Sequence, residues 1–171
     1  MPALNIVSRG LIVGGISALL AAGPVGAASP WTPSPSSDFE LAAGTRCPFT
    51  LRGTVIADRE QIRTLETYPD GSPRVQEVVG LLIVRFMNVE SGASVERNLT
   101  GTALVEFPED GSFVLTLLGG HMAIGVPPSS PGGPAFLVFT GTGFSLDLHT
   151  DGTRTITYGQ GQVENICATL A

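Results

Sequence analysis

From Cys47 to the C-terminus apolar and polar residues alternate, and no helical period is sustained. The clearest stretch has Val95, Leu99, Ala103, Val105 and Phe107 on one parity, while Ser94, Glu96, Asn98, Thr100, Thr102 and Glu106 hold the other. Side chains alternate strictly along a strand, so a phase that survives Gly101 predicts one continuous strand bent at that glycine. Turn signals at Asp70-Gly71, Ser91-Gly92, Asp110-Gly111, residues 127–134 and Asp151-Gly152 divide the rest. The prediction is an all-β antiparallel meander of about six long glycine-bent strands, near 49–68, 72–90, 93–108, 112–127, 135–150 and 153–168. Eight or more shorter strands are the alternative. The first strand is the least regular, because Arg59, Gln61 and Arg63 interrupt its pattern and it can split around residues 57–60.

Two-residue turns then fix a register. They set Val84 opposite Leu99, Phe86 opposite Arg97, Gly101 opposite Gly120 and Thr142 opposite Gly161. Gly80, Gly101 and Gly120 fall at one height in neighbouring strands. Glycines where several strands bend together curl a sheet, so the meander is expected to close into a small barrel. In an even-stranded meander the start of the first strand and the end of the last share one end. Cys47 and Cys167 occupy those positions, which predicts a disulfide between them.

The inward parity carries Leu82, Val84, Phe86, Leu99, Ala103, Val105, Leu118, Met122, Ile124, Phe136, Val138, Phe144, Leu146 and Leu148. Near the cysteine end it also admits Asn88, Arg97 and Asn165. An arginine on an apolar face needs a partner or water. The candidate ligand site is therefore Arg97 with Asn88 and Asn165, above a wall of Phe86, Leu99 and Met122. Its ligand is a small apolar or amphiphilic molecule whose anionic head meets Arg97. The competing reading leaves Arg97 at the rim, reaching to water over Phe86.

Catalytic signals are missing. There is no Gly-x-Ser-x-Gly elbow and no glycine-rich segment opening a helix. His121 falls on the outward parity, as do Asp147 and His149, which points to exposed polar positions rather than a metal site. No catalytic residue, metal or cofactor is assigned.

Composition adds a compartment. Arg9, an apolar run from Leu11 to Ala22 and small residues at 25–28 read as an export leader over residues 1–27. Residues 28–46, rich in proline and serine, read as a flexible tail, with Trp31 an incidental aromatic. Residues 47–171 form the barrel domain. The chain has 9 basic residues against 15 acidic ones, a net charge of −6, and every basic residue is arginine. That balance argues against nucleic acid and anionic membrane as partners, and the expected product is secreted and free of the membrane once the leader is cut. The sequence assigns no oligomeric state.

The leader, the proline-rich segment, the early cysteine, the Asp-Gly hairpin tips and Ile166-Cys167-Ala168 together resemble small exported β-barrel proteins of high-GC Gram-positive bacteria. The curled meander is also similar in architecture to allene-oxide-cyclase-like, dirigent-like and lipocalin-like barrels. The resemblance implies a binding module for a small apolar molecule, with an isomerase or cyclase of a hydrophobic substrate, or an extracellular structural module, as alternatives. It carries over no catalytic residue.

Overall fold

The computed structural model describes residues 28–171, and the expected leader lies outside the described residues. In chain order the elements are β1 (Thr32–Pro33), β2 (Phe39–Leu41), β3 (Leu51–Asp58), β4 (Gln61–Thr67), β5 (Pro73–Gly80), β6 (Leu82–Asn88), β7 (Ser94–Asn98), β8 (Gly101–Glu106), β9 (Phe113–Val126), β10 (Ala135–Thr142), β11 (Ser145–Leu148), β12 (Arg154–Thr157), β13 (Gln160–Asn165) and a single helical turn, α1 (Ile166–Thr169). All strand pairs are antiparallel. One sheet runs β1-β4-β5-β8-β9-β10-β13, with β11 joining β9 to β12, and a second runs β2-β3-β6-β7.

The six expected strand regions are present, but only β9 is continuous. The other five break near their midpoints, and in the first three the two halves join different sheets. The break near Gly101 shows how. Leu99 N–H donates to Leu82 O (2.7 Å), while Thr100 O accepts from His121 N–H (3.0 Å). Two adjacent residues are thus fastened to different sheets. Beyond this fork β7 follows β6, the second half of β9 follows β10, and neither sheet closes on itself. What joins the two ends of the meander is the Cys47–Cys167 disulfide, across a sequence separation of 120.

The glycines act at this fork as expected. Gly101 pairs with Gly120, whose φ of +93° is a left-handed value that side chains disfavour. A Cβ on Gly101 would lie 2.5 Å from His121 O, so the two strands approach there because neither carries a side chain. One residue further the β8–β9 register slips, with Thr102 opposite Gly119 but Ala103 opposite Leu117. Leu118 is the extra residue of this bulge. It turns outward and is 45% exposed, and Leu117 takes the buried place expected for it.

Two other registers differ. Asn88 Oδ1 accepts from the N–H groups of Glu90 and Ser91, which stabilises a four-residue loop instead of a two-residue turn. Val84 consequently faces Arg97 and Phe86 faces Val95; a shift of two leaves every side chain on its face. In the last hairpin His149 N–H donates to Thr153 O (2.9 Å) around a three-residue loop. The slip is one residue, so Thr142 meets Gln160 and Gly141 meets Gly161.

The single inward face resolves into two cores. Phe86 and Val84 of β6, Leu51 of β3 and Leu99 pack against Phe136 and Val138 of β10. The opposite face of β10, with Ala135 and Phe139, packs with Met122, Ile124, Phe144 and Leu146. β10 is buried on both sides because the bent meander folds back over it. The last strand ends at Asn165, whose side-chain oxygen accepts from Cys167 N–H (3.0 Å) and caps α1.

Residues 28–46 are laid on the sheets instead of trailing as a flexible tail. β1 pairs with β4 and β2 with β3. Ser29 N–H donates to Thr64 O, Ser34 N–H to Glu60 O and Ser36 N–H to Asp58 Oδ2. The serines that suggested solvation supply these bonds, and the prolines are tolerated because β1 is an edge. Trp31 lies 4.4 Å under the Arg63 guanidinium, so its ring has a specific partner.

Candidate functional site

The fork at Leu99–Thr100 leaves a cavity of about 210 Å³ between the diverging sheets. Glu60, Leu82, Leu99, Gly101, His121 and Met122 are among its walls. A second cavity of about 210 Å³, walled by Phe39, Val84, Phe86 and Phe136, shares Leu82, Leu99 and Ala123 with the first. The two form an apolar cleft whose polar groups gather at the Glu60 and His121 end.

Glu60 is held there by the N-terminal segment. Its Oε2 accepts from Ser36 Oγ (2.7 Å), and its own N–H donates to Asp58 Oδ1 (2.7 Å). Burial pushes its carboxyl above the usual range; the Ser36 bond opposes this, and the neighbouring Asp58 charge adds to it. His121 Nδ1 lies 3.2 Å from Thr100 O, which suits an Nδ1–H donor and leaves Nε2 as the acceptor. The cleft therefore combines an apolar body with a carboxyl whose pKa is raised by burial and the imidazole of His121.

The expected polar trio is organised differently. Arg97 makes a forked ion pair with Glu164, with both contacts at 2.6 Å. This pair joins β7 to β13 where no sheet bonds do. It holds the Arg97 guanidinium above and the Glu164 carboxyl below their ordinary values. Asn88 is buried, and its Nδ2 donates to Leu170 O (3.0 Å). Asn165 caps α1. All three converge on residues 164–170, as a fastening for the C-terminus rather than the head of a pocket. Of the expected apolar wall, Phe86 and Leu99 line the cleft, and Met122 lines its Glu60 end.

Glu60 was missed because acidic residues in a strand read as solvent-facing; the signal was the local break in pattern at residues 57–60. The alternation places His121 outward because it assumes one buried face, whereas this half of β9 sends Met122 and Ile124 into one core and Ala123 against the other. Among the described residues no group of three His, Cys, Asp or Glu side chains is arranged to hold a metal, and no helix is long and apolar enough to cross a membrane. The chain matches no known protein family, no curated protein and no solved structure.

Proposed function

We propose that the protein is an exported, barrel-like binding module that holds a small apolar or amphiphilic molecule in the cleft beneath its glycine bends. The observation that carries this is the fork at Leu99–Thr100, which opens an apolar space where continuous strands would have filled it. Each cavity is below the range of roughly 300–1,000 Å³ common for drug-sized ligands, so the ligand is a compact body or one laid across both. The disulfide supports an oxidising destination, and the net charge of −6 supports a neutral or weakly polar small-molecule partner over nucleic acid.

The test is titration calorimetry with a panel of short fatty acids, cyclic alcohols and aryl alcohols. Saturable binding that is weakened by Leu99→Gln and unchanged by Arg97→Met is the expected result. No binding across the panel would leave a structural module.

A second reading follows from Glu60. A carboxyl whose pKa is raised by burial, lining the same cavity as an imidazole and an apolar wall, suits proton transfer within a hydrophobic substrate, as an isomerase or cyclase requires. Under this reading a bound carbonyl compound exchanges a carbon-bound hydrogen with deuterated solvent, and Glu60→Gln stops the exchange while leaving binding intact. Equal exchange rates in the two proteins would remove the enzymatic reading.

A further inference from the structure

Five of the eight arginines among the described residues are paired with a carboxylate: Arg52, Arg63, Arg74, Arg85 and Arg97. Arg59 is exposed to water. The remaining two, Arg46 and Arg154, are half-buried and meet over Gly125. A Cβ on Gly125 would lie 2.8 Å from Arg46 Nε, so the Arg46 side chain rests on bare backbone. Arg154 Nη1 donates to Gly125 O, and Arg46 Nη1 donates to Thr45 O (2.7 Å). Both guanidinium groups are thus held by carbonyls, which fix their position without cancelling their charge.

No salt bridge reaches either one among the described residues, and residues 1–27 contain no Asp or Glu that would supply one. Arg154 Nε is buried and has no hydrogen-bond partner among the described residues. A buried donor left unpaired is costly, and two adjacent cations in an acid-rich chain with spare carboxylates is an arrangement that folding alone does not favour. Burial lowers the affinity of both groups for their protons, and at Arg154 the Arg46 charge adds to this. The cleft they line, about 210 Å³, is completed by Phe39, Leu41 and Phe136.

We propose that Arg46 and Arg154 form a binding site for an oxyanion, a carboxylate or a phosphate monoester, carried on a compact apolar group that lies against Phe39, Leu41 and Phe136. The oxyanion cancels the paired charges and its oxygens accept the unused guanidinium donors. The stacked rings of Phe39 and Phe136, 5.7 Å apart, adjoin the apolar cleft on their other side, but this site uses neither Glu60 nor His121 and stands without the reading given for them.

The probes are benzoate, phenyl phosphate and inorganic phosphate, titrated against the native protein and Arg46→Gln by calorimetry and by amide chemical shifts. Benzoate or phenyl phosphate should bind saturably, more weakly as salt is raised, and about tenfold more weakly to Arg46→Gln. The ratio of the two aryl compounds separates a carboxylate from a phosphate site, and inorganic phosphate measures what the rings add. The unliganded Arg46→Gln protein should be at least as heat-stable as the native one, because it loses a repulsion and no ion pair. A structural role for Arg46 would instead lower the melting temperature. Failure of all three anions to bind at millimolar concentration, or equal affinity in native protein and variant, would overturn the proposal. Apolar alcohols binding normally in the same preparations would confine that failure to this site.

Discussion

The hairpin-tip end and the cysteine end of this molecule are held together by opposite means. At one end, the loops around Asp70, Asp110 and Asp151 repeat a single device. Each Asp Oδ1 accepts from the backbone N–H and the hydroxyl of the residue two further on, which is Ser72, Ser112 or Thr153. The intervening glycines have φ of +86°, +81° and +82°. Each loop is specified within three residues. At the other end, Arg97 reaches Glu164 over a separation of 67, Asn88 reaches Leu170 over 82, and Cys47 reaches Cys167 over 120. The apolar cleft lies where the two sheets diverge, and Arg154, at the start of β12, reaches Gly125 at the end of β9.

Breaking the long-range end should cost most. Replacing both cysteines by serine frees a loop of more than a hundred residues, and chain-entropy arithmetic gives a loss of about 4–5 kcal/mol, read from urea unfolding of native and variant protein. Phe86→Ala removes a ring lying 5.2 Å from Phe136 across the sheet interface and should cost about 3–4 kcal/mol by the same measurement. Gly101→Val forces a branched side chain against His121 O and should cost roughly 1–3 kcal/mol, with amide exchange accelerating first at Leu99 and His121.

Acid should separate the two regions further. The tip carboxyls Asp70, Asp110 and Asp151 sit below their usual values, chiefly through the side-chain hydroxyl bonds. Their contribution is present above the unfolded pKa and is lost as pH falls through the folded one. Glu60 has the opposite sign: its raised pKa favours the folded state at low pH, and that contribution disappears as pH rises through the folded value. Glu60→Gln should therefore flatten the melting-temperature profile just above the ordinary carboxylate range and leave the acid limb unchanged. The smallest effect belongs to Asp110→Ala, which should loosen its own loop in amide exchange and leave the other two tips and the cleft as they were.

These differences also explain what the sequence could and could not reveal. The Asp-Gly tips, the Gly101–Gly120 pairing and the cysteine bridge follow from turn chemistry, alternation and chain parity, and all three were legible. The sheet fork was not, because alternation continues in phase through a change of hydrogen-bonding partner. A slip of one residue after Asp151 then moved the last strand off its expected place, and packing on both faces of β9 put His121 in the cleft. The Arg97, Asn88 and Asn165 group was correctly brought to one end, but its partners Glu164 and Leu170 belong to a turn that strand periodicity does not foretell. Arg46 and Arg154 leave no local trace; only the pairing of the other arginines singles them out.

Because Cys47 and Cys167 stand at the two borders of the sheet domain, the disulfide is also a mechanical shunt. A pull applied at the two ends of residues 28–171 travels along the N-terminal segment, through the sulfur bridge and out through α1. It peels β1 and β2 from their neighbours, while β3 to β13 carry no load. Tethered by both ends, the domain would keep β3 to β13 folded under tension that has already stripped away the Ser36 contact to Glu60 and the Phe39 wall of the cleft.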